Sequence, residues 1–229
     1  LPRPASDTPG KAGGSRDLLR GFLETFASFF RKEHVVAALA FLLLFRFAEA
    51  QLAKMAAPFL LDSTAVGGLA LTTSQVGFVY GTVGVALLTL GGILGGVLAA
   101  RNGLKFWLWW MVAAINLPNA VYIFLSFAQP EAYWVVSLAV AVEQFGYGFG
   151  FTAYMLYMIY FSRGEHETAH FAICTGFMAL GMMLPGMFSG WLQEAIGYRN
   201  FFLWVMLATV PSFLVAAMIP LDRSFGRKE

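Results

Sequence analysis

Long runs of apolar residues dominate the chain and predict its secondary structure. Six runs, separated by short connecting segments, cover residues 34–61, 75–100, 106–127, 132–161, 169–193 and 199–221. A helix of about 20 apolar residues crosses a hydrocarbon layer about 30 Å thick, and each run is long enough to do so. Because lipid admits only helices and closed barrels, and barrel strands are shorter, the pattern predicts an all-α bundle of six transmembrane helices.

The segment before these runs follows a different pattern. Residues 1–16 are rich in Pro, Gly, Ser and charge and predict a flexible linker. Over 17–33, apolar side chains recur at helical spacing between charged ones, namely Leu18, Leu19, Phe22, Leu23, Phe26, Phe29 and Phe30. This predicts an amphipathic helix lying in the membrane interface, with packing against a soluble neighbour as the alternative. The transmembrane domain then covers 34–221, and 222–229 form a cytoplasmic tail.

The composition agrees with a membrane protein. Apolar residues make up 59% of the chain and charged residues 12%, with a mean hydropathy of +0.68, whereas soluble domains average about 45–50% and about 25%. These values exclude a soluble globular protein and a disordered one. The net charge of +2 gives no reason to expect nucleic acid, and the single Cys174 excludes an internal disulfide framework. No cofactor is predicted, and the start at Leu1 rather than Met suggests a fragment or a processed product.

The basic residues predict the orientation in the membrane. Most of the 15 Lys and Arg residues fall on one side of the predicted bundle: Arg3, Lys11, Arg16, Arg20, Arg31, Lys32, Arg101, Lys105, Arg163, Arg223, Arg227 and Lys228. The opposite side has only Arg199, while Arg46 and Lys54 lie within the first run. Because cytoplasmic loops carry the excess of basic residues, both termini are predicted to be cytoplasmic.

An internal repeat emerges when the chain is aligned with itself at an offset of 94 residues. Glu49 then meets Glu143, and further matches are Gly92 with Gly186, Gly96 with Gly190, Gly103 with Gly197, and Lys105 with Arg199. The offset corresponds to one unit of three helices, and three crossings reverse the direction of the chain. The pattern therefore predicts two inverted three-helix repeats, the arrangement found within each half of a major facilitator transporter.

The first run carries polar residues in its interior. A charge at the centre of a membrane helix costs about 2.5–3.5 kcal/mol on insertion scales, so these residues are expected to face protein or a water-filled cavity. Arg46 and Glu49 stand at i and i+3 and can form an ion pair. With Gln51 and Lys54 they predict the charged wall of a substrate cavity. A buried structural ion pair is the alternative.

The fourth run contains one acid, Glu143, followed by Gln144. On a helix, Glu143 heads a stripe that contains Tyr147, Tyr154 and Tyr157. No basic residue lies within one turn of Glu143, and burial without a cation favours the neutral form of a carboxyl group. We therefore expect Glu143 to carry a transported proton, with Glu49 as a second proton-coupling acid, and Gln144 and the tyrosines to bind a polar solute. Ordinary helix packing is the alternative for the tyrosines.

The third run contains Asn116 and Asn119 on either side of Pro118. Amides at i and i+3 can reach a cavity, and both residues are therefore candidates for substrate binding. Hydrogen bonding between helices is the more common role of such residues in membranes. Pro118 predicts a kink between them.

Several motifs of the chain resemble the AmpG-like permeases, the muropeptide and acetyl-CoA transporter branch of the major facilitator superfamily. They are LFRFAE at 44–49, EQFGYGFG at 143–150, HFAI at 170–173 and PGMFSGWLQEAIGYRNFF at 185–202. The resemblance covers roughly 40–220 and implies the C-terminal six helices of such a permease, with an N-terminal six-helix half that this chain lacks. It also implies that the first helix of each unit lines the cavity. The acid usual in the superfamily's basic loop is replaced here by Ala100.

The sequence thus predicts half of a proton-coupled transporter that imports a polar solute, such as a cell-wall muropeptide, across the bacterial inner membrane. Its partners would be the lipid bilayer, the missing N-terminal half, protons and the solute. A non-transporting six-helix subunit or a degenerate receptor is the alternative. An intramembrane serine protease built on Ser189 is a remote one, because a rhomboid-like dyad needs a later histidine. The histidines His34, His166 and His170 all precede Ser189, and His166 and His170 are not expected to bind metal.

Overall fold

The computed structural model describes residues 15–227, apart from the side chains of residues 15–20 and Phe22. The α-helices of this part are α1 (Ser15–Phe30), α2 (Val35–Leu44), α3 (Phe47–Leu61), α4 (Thr73–Phe78), α5 (Val85–Asn102), α6 (Leu104–Asn116), α7 (Ala120–Ala128), α8 (Tyr133–Ser162), α9 (Glu167–Leu207) and α10 (Val210–Met218). No β-strand occurs in it, and the predicted all-α class is confirmed. The predicted linker falls almost entirely outside the described residues.

Five helical segments within residues 15–227 are long and apolar enough to cross a membrane. They are Val35–Leu61, Thr73–Asn102, Leu104–Ala128, Tyr133–Ser162 and Glu167–Met218. The first four correspond to the first four predicted runs. The fifth is 52 residues long and contains both remaining runs. Within it Gly197 has φ 75° and ψ 164°, a backbone conformation that glycine adopts readily and an α-helix does not contain.

The first three of these segments also depart from α-helical geometry part-way along their length. The first is interrupted between α2 and α3, where Arg46 has φ −103° and ψ 18°. The second contains a π-helix, Val79–Gly84, between α4 and α5. The third contains a 3₁₀-helix, Leu117–Asn119, between α6 and α7, as expected around Pro118, which has no N–H to donate. In a membrane, irregular backbone is tolerated only where it is buried in protein or lines a cavity.

Side chains from distant helices bind the backbone at the interruption between α2 and α3. The Tyr154 hydroxyl donates to the Leu42 carbonyl at 2.6 Å, and the Ser212 hydroxyl donates to the Phe45 carbonyl at 2.7 Å. Asn116 Nδ2 in turn donates to Ser212 Oγ at 2.9 Å. Since a buried carbonyl without a partner costs about as much as a lost hydrogen bond, these contacts stabilise the interrupted helix.

Glycines bring α5 and α8 into direct backbone contact. A Cβ atom at Gly148 would collide with the carbonyl oxygen of Leu88, and one at Gly91 would collide with that of Phe145. Gly96, also on α5, has no other atom within 4 Å of a Cβ built on it. Of these two glycines of the second span, Gly91 is therefore required for tight packing between helices, whereas Gly96 is not.

The described part of the predicted cytoplasmic tail packs against the bundle. The Leu104 amide donates to the Phe225 carbonyl at 2.9 Å, and Lys105 Nζ donates to the Leu221 carbonyl at 3.0 Å. The Phe225 side chain is buried. The segment after α10 therefore covers the turn between α5 and α6.

The last turn of α1 contacts the beginning of α9. Phe29 is fully buried and its ring stacks on that of Phe177, with 6.1 Å between centroids. Ser28 Oγ and His170 Nε2 form a hydrogen bond of 2.9 Å. Leu23 and Phe26 remain exposed. One face of α1 is therefore docked on the bundle, and its position in the membrane interface stays a prediction.

Candidate functional site

A polar cavity of about 310 Å³ lies among the interrupted segments. Its lining residues are Arg46, Glu49, Leu52, Ala53, Ala56, Ala57, Tyr80, Tyr122, Glu143, Gln144, Tyr147 and Met182. The first, second, third, fourth and fifth apolar segments all contribute to it. Of the predicted site residues, the structure brings five together here: Arg46, Glu49, Glu143, Gln144 and Tyr147.

Arg46 makes the most polar contacts of the cavity residues. Its Nε donates to Glu49 Oε2 at 2.7 Å, so the predicted ion pair is present. A second nitrogen of the guanidinium donates to the Tyr147 hydroxyl, also at 2.7 Å. The guanidinium carbon lies 5.3 Å from the ring centroid of Tyr147 and 4.6 Å from that of Phe151. Aromatic faces and two acceptors therefore replace the water that a buried cation loses.

The interruption of the first span places this arginine. Arg46 directly precedes α3, at a residue whose backbone is not helical, and Glu49 follows in the first turn of α3. The carboxylate thus lies near the N-terminus of a helix, where the unpaired N–H groups favour negative charge. If the helix continued without a break through Phe45, Glu49 would lie in its interior and not near an N-terminus. The local backbone and the ion pair therefore depend on each other.

Glu143 lies in the same cavity without a cationic partner. Its Oε2 accepts a hydrogen bond of 2.9 Å from Gln144 Nε2, and the residue is only 6% exposed. Among the described side chains, the one ion pair is Arg46 with Glu49. Burying an ionised carboxylate that is not paired is costly, whereas the protonated group is neutral. The site therefore combines one compensated acid and one uncompensated acid.

Sequence reasoning missed two tyrosines of the cavity. Tyr80 and Tyr122 join their hydroxyl groups in a short hydrogen bond, and the Tyr122 side chain is fully buried. Tyr80 belongs to the π-helix Val79–Gly84. No spacing pattern in the sequence indicates a π-turn. Tyr122 lies one turn beyond Pro118, and this kink was the available signal for a residue turned towards a site.

Two predicted residues of the first span lie outside the cavity lining. Gln51 accepts a hydrogen bond of 2.8 Å from Trp204 Nε1 and donates to the Phe47 carbonyl, so its amide joins α3 to α9. Lys54 is exposed, and its aliphatic part lies against Gly186. The structure therefore does not bring Gln51 and Lys54 to the arginine and the two acids.

The predicted asparagines of the third span are also placed elsewhere. Asn116 is buried and donates to the Val112 carbonyl of its own helix and to Ser212 Oγ of α10, so it has the interhelical role that is the more common one for such residues. Asn119 is buried in the 3₁₀-helix, and neither polar atom of its amide has a partner among the described residues. Neither asparagine lines the cavity.

The tyrosine stripe of α8 divides between two environments. Tyr147 lines the cavity, but Tyr154 and Tyr157 lie further along α8 in the hydrophobic core. Tyr154 packs on Phe41, with 5.6 Å between centroids, and Tyr157 packs on the same ring at 4.5 Å. The alternative of helix packing thus describes the contacts of Tyr154 and Tyr157.

A larger cavity of about 400 Å³ runs along α5 and α8 and shares Tyr147 with the polar one. It is lined mainly by carbon, from residues such as Leu88, Ile93, Phe151 and Met155. A chemical or transport site requires convergent polar groups, and only the smaller cavity supplies them. We therefore take the smaller cavity as the candidate site.

The serine of the protease alternative and the two neighbouring histidines lie outside the candidate site. Ser189 is buried, and its hydroxyl donates to the Pro185 carbonyl at 2.9 Å. His166 and His170 lie near each other, with ring centroids 6.0 Å apart. No group of three or more His, Cys, Asp or Glu residues in the described part is arranged to hold a metal ion.

Curated relatives of the chain are similar to it over most of its length. AmpG 4 of Rickettsia conorii is 23% identical over 84% of this chain, and AmpG 2 of Rickettsia prowazekii is 23% identical over 87%. Both are named as transporters. The anhydromuropeptide permease of Escherichia coli K12 is 25% identical over 82% of this chain. The predicted AmpG-like resemblance is confirmed.

The chain spans about half the length of the curated relatives it matches. The match covers 45% of the Rickettsia conorii protein, 47% of the Rickettsia prowazekii protein and 37% of the Escherichia coli permease. This is consistent with the predicted C-terminal half. No protein-family model matches the chain. Together with the apolar helices, the relatives identify a multi-pass membrane protein.

Proposed function

We propose that the chain is the C-terminal half of a proton-coupled transporter that moves a polar solute across a bacterial inner membrane. The observation that carries this proposal is that one cavity contains two glutamates in different electrostatic environments. Glu49 is compensated by Arg46, whereas Glu143 has no basic partner among the described side chains. Buried ionisable residues in membrane segments are typical of proton and solute pathways.

The proposed fold is half of a major facilitator bundle. In it, the 52-residue segment Glu167–Met218 makes two crossings that meet at Gly197, and the chain makes six crossings in total. The two inverted three-helix repeats place Glu49 and Glu143 at equivalent positions. In support, both acids line one cavity although they are 94 positions apart in the sequence. A second six-helix half, expected from the length of the relatives, would close the cavity, and both termini would be cytoplasmic.

In the proposed mechanism Glu143 carries the proton. When the cavity is closed to water, the protonated carboxyl is neutral and can be buried with Gln144 as its hydrogen-bond partner. When the cavity opens to the cytoplasm, water stabilises the carboxylate and the proton leaves. The solute-loaded transporter then changes state with Glu143 protonated, and the empty transporter returns after the proton has left, so each cycle moves a proton together with the solute and couples the proton gradient to the conformational change.

Arg46 and Glu49 bind the solute in this mechanism, together with Tyr147, Gln144 and the newly found Tyr80 and Tyr122. An anionic or hydroxyl group of the solute competes for the Arg46 nitrogens that now bond Glu49 and Tyr147. The hydroxyl and amide groups can donate to or accept from sugar and peptide groups alike. A muropeptide has such groups, and one relative is named as an anhydromuropeptide permease.

Glu143→Gln tests the proposal in vesicles that contain the whole transporter, that is, this chain together with the proposed N-terminal half. We expect exchange of labelled solute between the two sides to continue, because the amide imitates the neutral carboxyl. Accumulation driven by a pH gradient should be lost. Glu194→Gln is the matched control, since Glu194 is an exposed carboxylate of α9 outside the cavity. Unchanged pH-driven accumulation in Glu143→Gln would refute the proposal.

A further inference from the structure

A second polar pocket lies at the end of the bundle where the basic residues concentrate. It has a volume of about 210 Å³, and its lining includes Lys32, Glu33, His34, Tyr157, Arg163 and Pro220. The turn before α2, the end of α8 and the residues after α10 therefore meet there. A water molecule occupies about 30 Å³ in the liquid, so the pocket has room for a small polar group with some of its hydration.

The ammonium group of Lys32 is fixed in this pocket by α8 and the turn that follows it. Lys32 Nζ donates to the Phe161 carbonyl at 2.5 Å and to the Arg163 carbonyl at 2.7 Å, and it lies 5.2 Å from the Phe161 ring centroid. An ammonium group has three N–H donors, so one remains for another acceptor. Burial lowers the pKa of Lys32. An anion beside it would favour the charged form again.

Arg163 supplies a second positive charge. Its guanidinium lies over the Phe225 ring, with 4.5 Å between the guanidinium carbon and the ring centroid. Neither Lys32 nor Arg163 has a carboxylate oxygen within 4.0 Å among the described side chains, where Arg46 and Glu49 form the one ion pair. Both cations are thus held by aromatic rings or carbonyl groups, and Glu167 acts on Lys32 only from beyond ion-pair distance.

Three further titratable groups lie in or beside the pocket. Glu33 is exposed and contributes one negative charge to the lining, and His34 is also exposed. Asp222 is exposed and lies near Tyr160, another residue of the lining, and it adds a second negative charge beside the pocket. The Tyr157 hydroxyl has no hydrogen-bond partner in the described part of the chain and adds a donor to the lining. The pocket therefore favours an anion that two cations can contact together.

The surroundings of the pocket are apolar and exposed. Val36, two residues after His34, is 74% exposed, and Ile159, two residues before Phe161, is 40% exposed. In a membrane protein such side chains contact lipid chains. A ligand with an anionic head and an apolar tail matches this combination better than a free anion does.

We propose that this pocket binds the phosphate headgroup of an anionic phospholipid, with Lys32 and Arg163 as its cationic contacts. The bound lipid bridges the turn before α2, the end of α8 and the segment after α10. This site lies apart from the cavity of Arg46 and Glu143 and does not depend on the transport proposal.

Native mass spectrometry of the intact protein, with equal amounts of phosphatidylglycerol and phosphatidylcholine in the detergent, tests the inference. We expect preferential retention of phosphatidylglycerol. Arg163→Gln should lower its apparent affinity about fivefold, the usual effect of one basic residue at an anionic lipid surface. Lys32→Gln should lower it at least as much, and Glu33→Gln should raise it because one repulsive charge is removed.

Arg101→Gln is the matched control, since Arg101 is exposed at the same end of the bundle but does not line the pocket. If Lys32→Gln does not fold because the hydrogen bonds of Lys32 to the Phe161 and Arg163 carbonyls are lost, Arg163→Gln still tests the inference. Three results would overturn the inference. They are equal retention of the two lipids, an equal loss of affinity in Arg101→Gln and Arg163→Gln, and displacement of phosphatidylglycerol by millimolar inorganic phosphate, which would indicate a site for a soluble anion.

Discussion

Tyr154 of α8 donates its hydroxyl hydrogen to the carbonyl oxygen of Leu42, 2.6 Å away, one turn before the backbone of the first span is interrupted at Arg46. Both groups are buried. The contact links the first span, which contains Arg46, to α8, which contains Glu143. The sequence suggested that Tyr154 binds solute, whereas its hydroxyl binds the interrupted backbone.

Tyr154→Phe should therefore destabilise the protein. The Leu42 carbonyl would lose a buried partner, which costs about 1–3 kcal/mol. The measurement is thermal unfolding of the purified protein in detergent. Tyr157→Phe is the control, since the neighbouring Tyr157 is equally buried but its hydroxyl has no hydrogen bond within the described residues. Equal stability of the two variants would show that the contact with Leu42 contributes nothing.

Ser212→Ala should have a comparable effect for a related reason. The Ser212 hydroxyl donates to the Phe45 carbonyl and accepts from Asn116 Nδ2, so its removal leaves two buried groups without this partner. We expect a loss of about 1–3 kcal/mol in unfolding free energy. Ser137→Ala is the comparison, because the Ser137 hydroxyl only donates to the Tyr133 carbonyl one turn earlier in its own helix. If Ser137→Ala is the more damaging change, the interruption does not depend on Ser212.

Glu49→Gln should cost about 3 kcal/mol or more, because it leaves the Arg46 charge buried without its counter-ion. The double variant Arg46→Met with Glu49→Gln should recover much of this loss, since no uncompensated charge remains. A double-mutant cycle on unfolding free energies measures the coupling. Additive effects of the two single changes would mean that the pair is solvated and contributes little.

Gly148→Ala should disrupt the contact between α5 and α8. The added methyl group collides with the Leu88 carbonyl, a backbone atom that cannot rotate away. Overpacking of this kind costs about 1–3 kcal/mol. Gly96→Ala on α5 should be neutral or slightly stabilising, because nothing lies within 4 Å of the added atom and alanine favours helix. The measurement is the unfolding temperature of the two variants. An equal decrease in unfolding temperature for Gly96→Ala and Gly148→Ala would contradict the proposed role of Gly148 in the contact between α5 and α8.

The fold was predictable from the sequence where the signal was local. The length of each apolar run predicted its helix, and the i, i+3 spacing of Arg46 and Glu49 predicted their ion pair. No basic residue lies within one turn of Glu143 on its own helix, which predicted a carboxyl group without a cationic partner. The structure agrees, because no other described helix supplies a salt bridge to Glu143. The predicted gap between the last two runs, 194–198, contains Gly197, the residue of α9 whose backbone is not helical.

The remaining site residues depend on contacts that spacing does not encode. Gln51 was assigned to the cavity by projecting it on a straight helix, but its partner Trp204 is 153 residues away. The backbone is also not helical at Arg46, so residues before and after it do not lie on the faces that a straight helix would give them. Tyr80 reaches the cavity from a π-helix, and a sequence pattern with a period of 3.6 residues does not indicate such a turn.

The three irregular segments have a mechanical consequence. A continuous α-helix behaves as a rod, so a displacement at one end is transmitted to the other. The first, second and third spans each contain a joint instead, at Arg46, at Val79–Gly84 and at Leu117–Asn119. Each joint permits the part of the span on one side of it to tilt while the other part stays packed. In the proposed transporter, the two ends of the bundle would open one at a time about these joints, which lie close to the cavity residues Arg46, Tyr80 and Tyr122.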